Sequence, residues 1–357
     1  MSAPAIPALA PSVREGSARK VARVAVLGAS GYSGQEFVRL ALAHDGVKIA
    51  ALVSREHAGR PAAELMPGVD ARAAALPAPV APGALPALFA DGVFDTIVTC
   101  MPHGAWRAFA AENASWISRI ESVIDLSGDF RNGDSGYAYG LPEAFRDSLV
   151  DATRIANPGC YPTAATLALL PALELGWLSG EVSVTALSGV SGAGRAPALR
   201  TSFVELDGGA AIYKAGEEHA HVPEMVRNFG RLAPGTTPEV AFVPHLTPMA
   251  RGILLTASAP LKTPVTPDEA RTAYVERYAH EGFVRVLDPG VWPETRAVRN
   301  SNRCDLTVTT VHGGRTLLAT AAIDNLVKGA AGQALQNLNL LLDWPEHWGL
   351  PVHGNPW

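Results

Sequence analysis

Apolar and polar positions along the chain fall into two regimes. In the first half, short and nearly unbroken apolar runs at residues 23–28, 47–53, 93–100, 123–127 and 155–156 are separated by other stretches, among them a helical one at 35–44. Strands that are apolar on both faces are what a parallel, fully covered sheet requires. From residue 181 onward the runs alternate instead, at 181–187, 240–243, 252–258, 304–311 and 316–323. Period-two alternation predicts a mostly antiparallel sheet with helices on one face. Residues 268–280 read as one such helix, with Pro267 as its start signal. Residues 330–342 read as a long apolar helix, and 61–88, rich in Ala and Pro, as short helical pieces and loops. Together with the glycine turn that follows the first strand at Gly28, Gly31 and Gly34, the pattern predicts an α/β, Rossmann-type dinucleotide-binding domain followed by an α+β domain.

Length fits this division, since 357 residues exceed one typical core and make about two domains the expectation. A net charge of −5 carries no basic excess, which argues against nucleic acid and anionic membrane surfaces as partners. Cys100, Cys160 and Cys304 are odd in number, far apart and without CxxC spacing. They suggest neither a disulfide framework nor a thiolate metal site, and a reducing, cytoplasmic setting is expected. Residues 1–20 lack the charged start and apolar core of a signal peptide and read as a disordered tail. No run reaches transmembrane length.

Candidate chemistry begins where the first strand meets glycine. Gly28, Gly31 and Gly34 lie between that strand and the helix after it, the context in which a glycine turn and helix N-terminus accept a pyrophosphate. The second strand ends in Ser54-Arg55 rather than in an acidic residue, which suits a 2′-phosphate and points to NADP over NAD. Arg55 as a solvated loop charge remains the alternative. His103, at the end of a further strand, is placed to touch cofactor, whereas Asp129 and Arg131 read singly as loop contacts that stabilise the fold.

The sharpest single signal is Cys160. Asn157-Pro158-Gly159 is turn chemistry, and an Ala- and Leu-rich helical run begins just beyond it. A thiol at a helix N-terminus faces unpaired N–H groups, so its pKa is expected to fall below the roughly 8.5 of a free thiol. Residues 188–195 combine a glycine-rich loop containing Ser191, Gly192 and Gly194 with Arg195, which suits a phosphate or carboxylate, and Arg251 adds another cation. His219, His221 and Glu224 lie within six residues. No third nitrogen or sulfur ligand stands near them, so no metal is expected. His221 as acid/base oriented by Glu224 fits thiol chemistry better.

Together GASGYSG at 28–34, MPHG at 101–104, DLSGDFR at 125–131, YGLPE at 139–143, NPGCYPT at 157–163, SGVSGAGR at 188–195, HAHVPE at 219–224, PHLTPMARG at 244–252 and DNLVKGAAGQALQN at 324–337 resemble the N-acetyl-γ-glutamyl-phosphate reductases of arginine biosynthesis. The resemblance runs over nearly the whole chain after Lys20. It implies NADPH-dependent reduction of an acyl phosphate to a semialdehyde through a cysteine thioester, in a two-domain build like that of glyceraldehyde-3-phosphate dehydrogenase. The domains would be 21–158 with 324–357 for NADP and 159–323 for substrate and oligomerisation.

By the same resemblance Cys160 is the nucleophile and His221, with Glu224, the acid/base, His219 being the runner-up. Asn157, Ser191, His219, Arg195 and Arg251 would face the substrate, the two arginines sharing its anions in an order left open. Gly28, Ser30, Gly31, Tyr32, Ser33, Gly34, Ser54, Arg55, Pro102, His103, Ser127, Gly192, Gly194 and Asn325 would face the cofactor. A homo-oligomer, tetramer or dimer, is implied. The rivals are a semialdehyde dehydrogenase acting on aspartyl phosphate and a dinucleotide-sensing protein that kept the fold without the chemistry.

Overall fold

A computed structural model describes residues 21–66, 68, 75–133, 136–233, 235 and 237–355. The tail expected at 1–20 and part of the 61–88 stretch lie outside them.

Six strands form the first sheet: β1 (Ala22–Leu27), β2 (Val47–Val53), β3 (Thr96–Thr99), β4 (Ser122–Asp125), β5 (Ala138–Tyr139) and β6 (Arg154–Ala156). They are ordered β2-β1-β3-β4-β6-β5, and every pairing is parallel. β3 and β4 are buried at all four positions, which is why their sequences lack alternation. The order reverses between β1 and β3, so a crevice opens beyond their carboxyl ends, where Gly28 and Met101 emerge.

Seven strands form the second sheet: β7 (Val182–Ser188), β8 (Ala211–Ile212), β9 (Val240–Leu246), β10 (Ile253–Pro260), β11 (Val284–Val286), β12 (Cys304–Val311) and β13 (Thr316–Ile323). Their order is β11-β12-β13-β10-β7-β9-β8. Four pairings are antiparallel and two, β11 with β12 and β7 with β9, are parallel. The sheet is therefore mixed. Inward residues such as Val184, Phe242, Leu255 and Ala257 share one core with the helices Cys160–Glu174 and His221–Leu232. The first of these helices is buried at every position from Tyr161 to Leu173. Helix Pro267–Tyr278 starts at a capping box, Thr266 accepting the backbone N–H of Glu269 at 3.2 Å while the Glu269 carboxylate accepts that of Thr266 at 2.8 Å.

The C-terminal helix begins differently from its expected form. Residues Val327–Ala331 make a π-turn, and the α-helix proper is Gly332–Leu341. Its Leu335 and Leu338, with Trp344 and Leu350 beyond, pack into the core of β1, β2 and helix Tyr32–Ala41. The chain thus returns to the first sheet after completing the second.

Candidate active site

Both sheets meet at the turn leading to Cys160. Asn157 donates its backbone N–H to the Asp125 carbonyl at 2.7 Å, continuing β6 alongside β4 for one more residue. Its buried side chain is fully engaged, donating to the Ala330 carbonyl at 3.1 Å and accepting from Asn337 at 3.0 Å. Asn157, expected to face substrate, here shapes the turn. Gly159 is the N-cap of the helix Cys160–Glu174 and offers no side-chain cap. The first N–H groups of that helix therefore point toward the thiol rather than toward a capping oxygen.

Glu224 organises this turn. Its Oε1 accepts the Gly159 N–H at 2.8 Å and the Tyr139 hydroxyl at 2.6 Å, and its Oε2 accepts from Arg131 Nη1 at 3.3 Å. Asn228 donates to the Tyr139 oxygen at 2.9 Å. Glu224 was expected to orient His221, and it makes no hydrogen bond to it. Burial of both its oxygens among stronger donors explains the difference. The partner of His221 is Arg131, whose Nη1 lies 3.5 Å from Nε2. A guanidinium only donates, so the geometry assigns Nε2 as an acceptor and the ring proton to Nδ1, which is buried without a partner. The Nε2 atom also closes on the turn, since a Cβ added at Gly159 would stand 2.6 Å from it.

Arg131 is the site residue that its sequence position concealed. It donates to the carbonyls of Asn157 at 2.8 Å and Leu126 at 3.0 Å, besides Glu224. Its position just past the carboxyl end of β4, the ligand-binding edge of a parallel sheet, was the available signal. Asp129 does act within the fold, accepting the backbone N–H groups of Gly104 at 2.5 Å and Arg107 at 2.9 Å.

Electrostatics at the thiol differ from the sequence expectation. Burial pushes Cys160 up to about 11, and Glu224 adds to the rise. Arg131 and the N–H groups of Tyr161 and Cys160 pull the other way without offsetting it. The helix terminus and guanidinium are present as expected, but desolvation of the anion outweighs them. Burial first, then the charge of Arg131, holds His221 well below the ordinary histidine range. His219 falls to about 4 through burial and Lys214. Its Nδ1 accepts the backbone N–H of His221 at 3.2 Å, and its ring packs against Tyr161 and Phe242. At neutral pH the site therefore holds a protonated thiol beside two uncharged imidazoles.

The glycine turn lies at the carboxyl ends of β1 and β3. A Cβ on Gly28, whose φ is +74°, would come 2.6 Å from the Cys100 carbonyl oxygen, and one on Gly34 would come 2.5 Å from that of Gly28. Helix Tyr32–Ala41, which contains Ser33, has Gly31 as its N-cap and no side-chain cap. Its opening N–H groups are thus available to an anion. Buried Ser54 lies 3.3 Å from the Ser30 hydroxyl, while Arg55 and Tyr32 are exposed. Pro102 and His103 are exposed as well, and His103 lies 3.0 Å from Asp129. The Ser127 hydroxyl accepts the Asp129 N–H at 3.2 Å.

The remaining predicted residues separate into two groups. Arg195, in the exposed loop with Gly192 and Gly194, donates to the Ser30 carbonyl at 2.7 Å and so lies at the glycine turn. Asn325 connects that loop to the second sheet, donating to Ser191 at 3.0 Å and accepting the Gly252 N–H at 2.7 Å. Arg251, expected at a substrate anion, is spent inside the protein. It reaches Glu36 at 3.1 Å, Asp324 at 3.4 Å and Asn300 at 2.5 Å, joining the helix after the glycine turn to the second sheet.

Comparison with known proteins agrees with this geometry. Residues 23–152 match the semialdehyde dehydrogenase NAD-binding domain, and 160–325 match the semialdehyde dehydrogenase dimerisation domain. An N-acetyl-gamma-glutamyl-phosphate reductase of Acidothermus cellulolyticus is 40% identical over 349 residues, covering 93% of this chain and 98% of its own. One of Thermus thermophilus is 42% identical over 359 residues, covering 92% and 99%. Among solved structures, aspartate semialdehyde dehydrogenase II of Vibrio cholerae shares the fold at a TM-score of 0.70 and 17% identity, over 91% of this chain and 99% of that one. Aspartate semialdehyde dehydrogenase with NADP from Candida albicans does so at 0.67 and 14%, over 91% and 99%.

Proposed function

The chain belongs to the N-acetyl-γ-glutamyl-phosphate reductase family, and from that premise we propose that it reduces N-acetyl-γ-glutamyl phosphate to N-acetylglutamate 5-semialdehyde and phosphate in arginine biosynthesis. The observation that carries this reading is the convergence at one turn of the Cys160 thiol, an uncharged His221 and the Arg131 guanidinium, with a glycine turn suited to a dinucleotide on the neighbouring sheet edge.

The glycine turn fits NADP because Cβ atoms at Gly28 and Gly34 would collide with the Cys100 and Gly28 carbonyls, at 2.6 and 2.5 Å, so glycine keeps the turn tight and the helix close enough to present its N–H groups to a pyrophosphate. Gly28, Gly31 and Gly34 would hold the diphosphate, with Ser54 and Arg55 at the 2′-phosphate and Arg195 closing over the turn. Bound NADPH supplies a hydride to the acyl carbon. The protein's own part is proton and nucleophile management. His221 Nε2, a neutral acceptor, takes the Cys160 proton as sulfur attacks the acyl carbon. A C–S bond forms, the C–O bond to phosphate breaks, and phosphate leaves, taking one proton from solvent, with a thioester left on Cys160. After reduction the alkoxide of the thiohemiacetal reforms the carbonyl, the C–S bond breaks, and the imidazolium returns its proton to sulfur. Arg131 stabilises the thiolate and the anionic groups passing beside it, while the Tyr161 and Cys160 N–H groups are the nearest oxyanion donors.

On this reading 21–158 with 324–357 is the NADP domain and 159–323 the substrate domain, supported by the return of Leu335, Leu338 and Trp344 to the core of the first sheet. Assembly is as a homo-oligomer, dimer or tetramer, through the second sheet. Its outer face shows Ser183, Thr185 and Thr256 exposed and Leu187 and Leu254 half-buried, with no charge among these five. No helix among the described residues is long and apolar enough to cross a membrane, and a cytoplasmic location is part of the proposal.

The test is the reverse reaction, NADP reduction with N-acetylglutamate semialdehyde, with and without phosphate, in wild type and Cys160→Ser. Phosphate-dependent turnover of this aldehyde and not of aspartate semialdehyde, lost in the serine variant, is expected. Turnover of aspartate semialdehyde alone would transfer the assignment to the aspartyl enzyme. Cofactor binding without turnover of either would favour a sensing role.

A further inference from the structure

Lys328 is wholly buried. Its Nζ donates to Glu143 at 2.6 Å and to Gln336 at 2.8 Å. Gln336 also accepts from Asn302 at 2.9 Å and donates to Glu346 at 2.7 Å, and Arg146 bridges Glu346 and Glu281. Exchanging a buried ion pair for apolar side chains of like volume is often neutral or stabilising. Stability alone is therefore a poor account of this network, and what it fixes in space becomes the question.

Lys328 sits inside the π-turn Val327–Ala331, which is held by Gly329 N–H to the Asp324 carbonyl at 2.9 Å and Ala331 N–H to the Leu326 carbonyl at 2.8 Å. Such turns are rare and recur at functional sites. The two residues after Lys328 both touch the nucleophile's surroundings. Gly329 abuts Cys160 so closely that an added Cβ would stand 2.7 Å from the Cys160 Cβ. The Ala330 carbonyl accepts the Asn157 side chain, three residues before the thiol. Three consecutive residues thus reach the buried carboxylate, the thiol and the turn that presents it.

We propose that Lys328 is a positioning residue: its ammonium, clamped by Glu143 and Gln336, holds the π-turn in the register that seats Gly329 against Cys160 and Ala330 against Asn157. An ordinary α-turn would rotate these groups away and release Cys160 from its contact with Gly329. The inference rests on Cys160 being the nucleophile of the proposed reaction.

The Lys328→Met/Glu143→Met double variant removes both charges at similar volume. It is expected to fold, to lose about tenfold or more in kcat for phosphate-dependent NADP reduction, and to keep KM for the aldehyde within about twofold. Alkylation of Cys160 by iodoacetamide, followed at that residue by peptide mass spectrometry, should change by a like factor. Gly329→Ala, which leaves the ion pair intact, should give the same two changes. A folded double variant with kcat and alkylation both within about twofold of wild type overturns the proposal and leaves Lys328 a stability element. If the double variant does not fold, Glu143→Gln, which removes the carboxylate charge from the clamp, should show the same two changes in smaller measure, and wild-type values for both overturn the proposal. Wild-type protein without phosphate-dependent turnover would sink the functional reading instead, and the alkylation comparison would still decide whether Lys328 positions the thiol.

Discussion

The Glu224 carboxylate accepts the backbone N–H of Gly159 at 2.8 Å. A buried charge from one helix thereby fixes the residue that immediately precedes Cys160 on another. Because the same carboxylate balances Arg131 at 3.3 Å, it sets both the backbone and the field at the thiol.

Glu224→Ala would leave Arg131 buried without its counter-charge, a change that typically costs about 3 kcal/mol or more. Urea denaturation should show that loss, together with kcat reduced at least about tenfold as the turn relaxes. Arg131→Lys is expected not to restore function in place of Arg131, because one ammonium cannot reach Glu224 and both carbonyls in the planar fork that a guanidinium provides. A lysine variant with wild-type kcat would show that charge alone suffices.

Thiol titration gives a second prediction. With Cys160 at about 11, the ligand-free protein should alkylate at this residue more slowly than a free cysteine at pH 7. The rate should climb as pH rises toward 11, since only the thiolate reacts. Arg131→Met removes the cation that favours the thiolate and should move the profile to still higher pH. A rate plateau below pH 8 would show that the helix terminus prevails over burial after all.

Stability should also carry a histidine signature. His219 titrates near 4 in the folded chain against 6.5 for a free side chain. Above pH 6.5 both states are neutral there and the contribution is complete. As pH falls toward 4 the unfolded chain binds a proton that the folded one refuses, and stability drops by about 1.4 kcal/mol per pH unit. His221, also depressed by burial, acts in the same sense. Asp125, raised to about 6 by burial, acts oppositely, its contribution being fully present below 3.8 and lost as pH rises through 6. His219→Phe isolates the first effect. Its urea-derived stability should fall less steeply than wild type between pH 6.5 and 4.5, and equal slopes would remove His219 as the cause.

Glycine replacements separate steric need from mere habit. Gly28→Ala meets both a φ of +74° and a carbonyl oxygen at 2.6 Å, whereas Gly31→Ala meets nothing nearer than 3.4 Å. The first should cost on the order of 1–3 kcal/mol in stability and weaken NADPH binding. The second should leave stability nearly unchanged, so any loss of NADPH affinity it shows reports contact with cofactor. Calorimetric titration of the folded variants makes the comparison.

The sequence by itself determined whatever depends on near neighbours. Unbroken apolar runs became the parallel sheet, alternating ones the second sheet, and the Asn157-Pro158-Gly159 turn put Cys160 on the first residue of a helix. Glycine spacing likewise located the turn between the first strand and the first helix, because the unit Ala22–Ala41 is a local matter. Tertiary structure decided which groups face one another. Arg131 meets Glu224 across 93 positions and Arg251 meets Glu36 across 215, so an arginine read as a loop contact entered the site while one expected at substrate became an internal brace. The thiol's protonation state was decided there too. A helix N-terminus is visible in sequence, but the burial that outweighs it is summed over every element packed around Cys160, and only the folded chain brings those elements together.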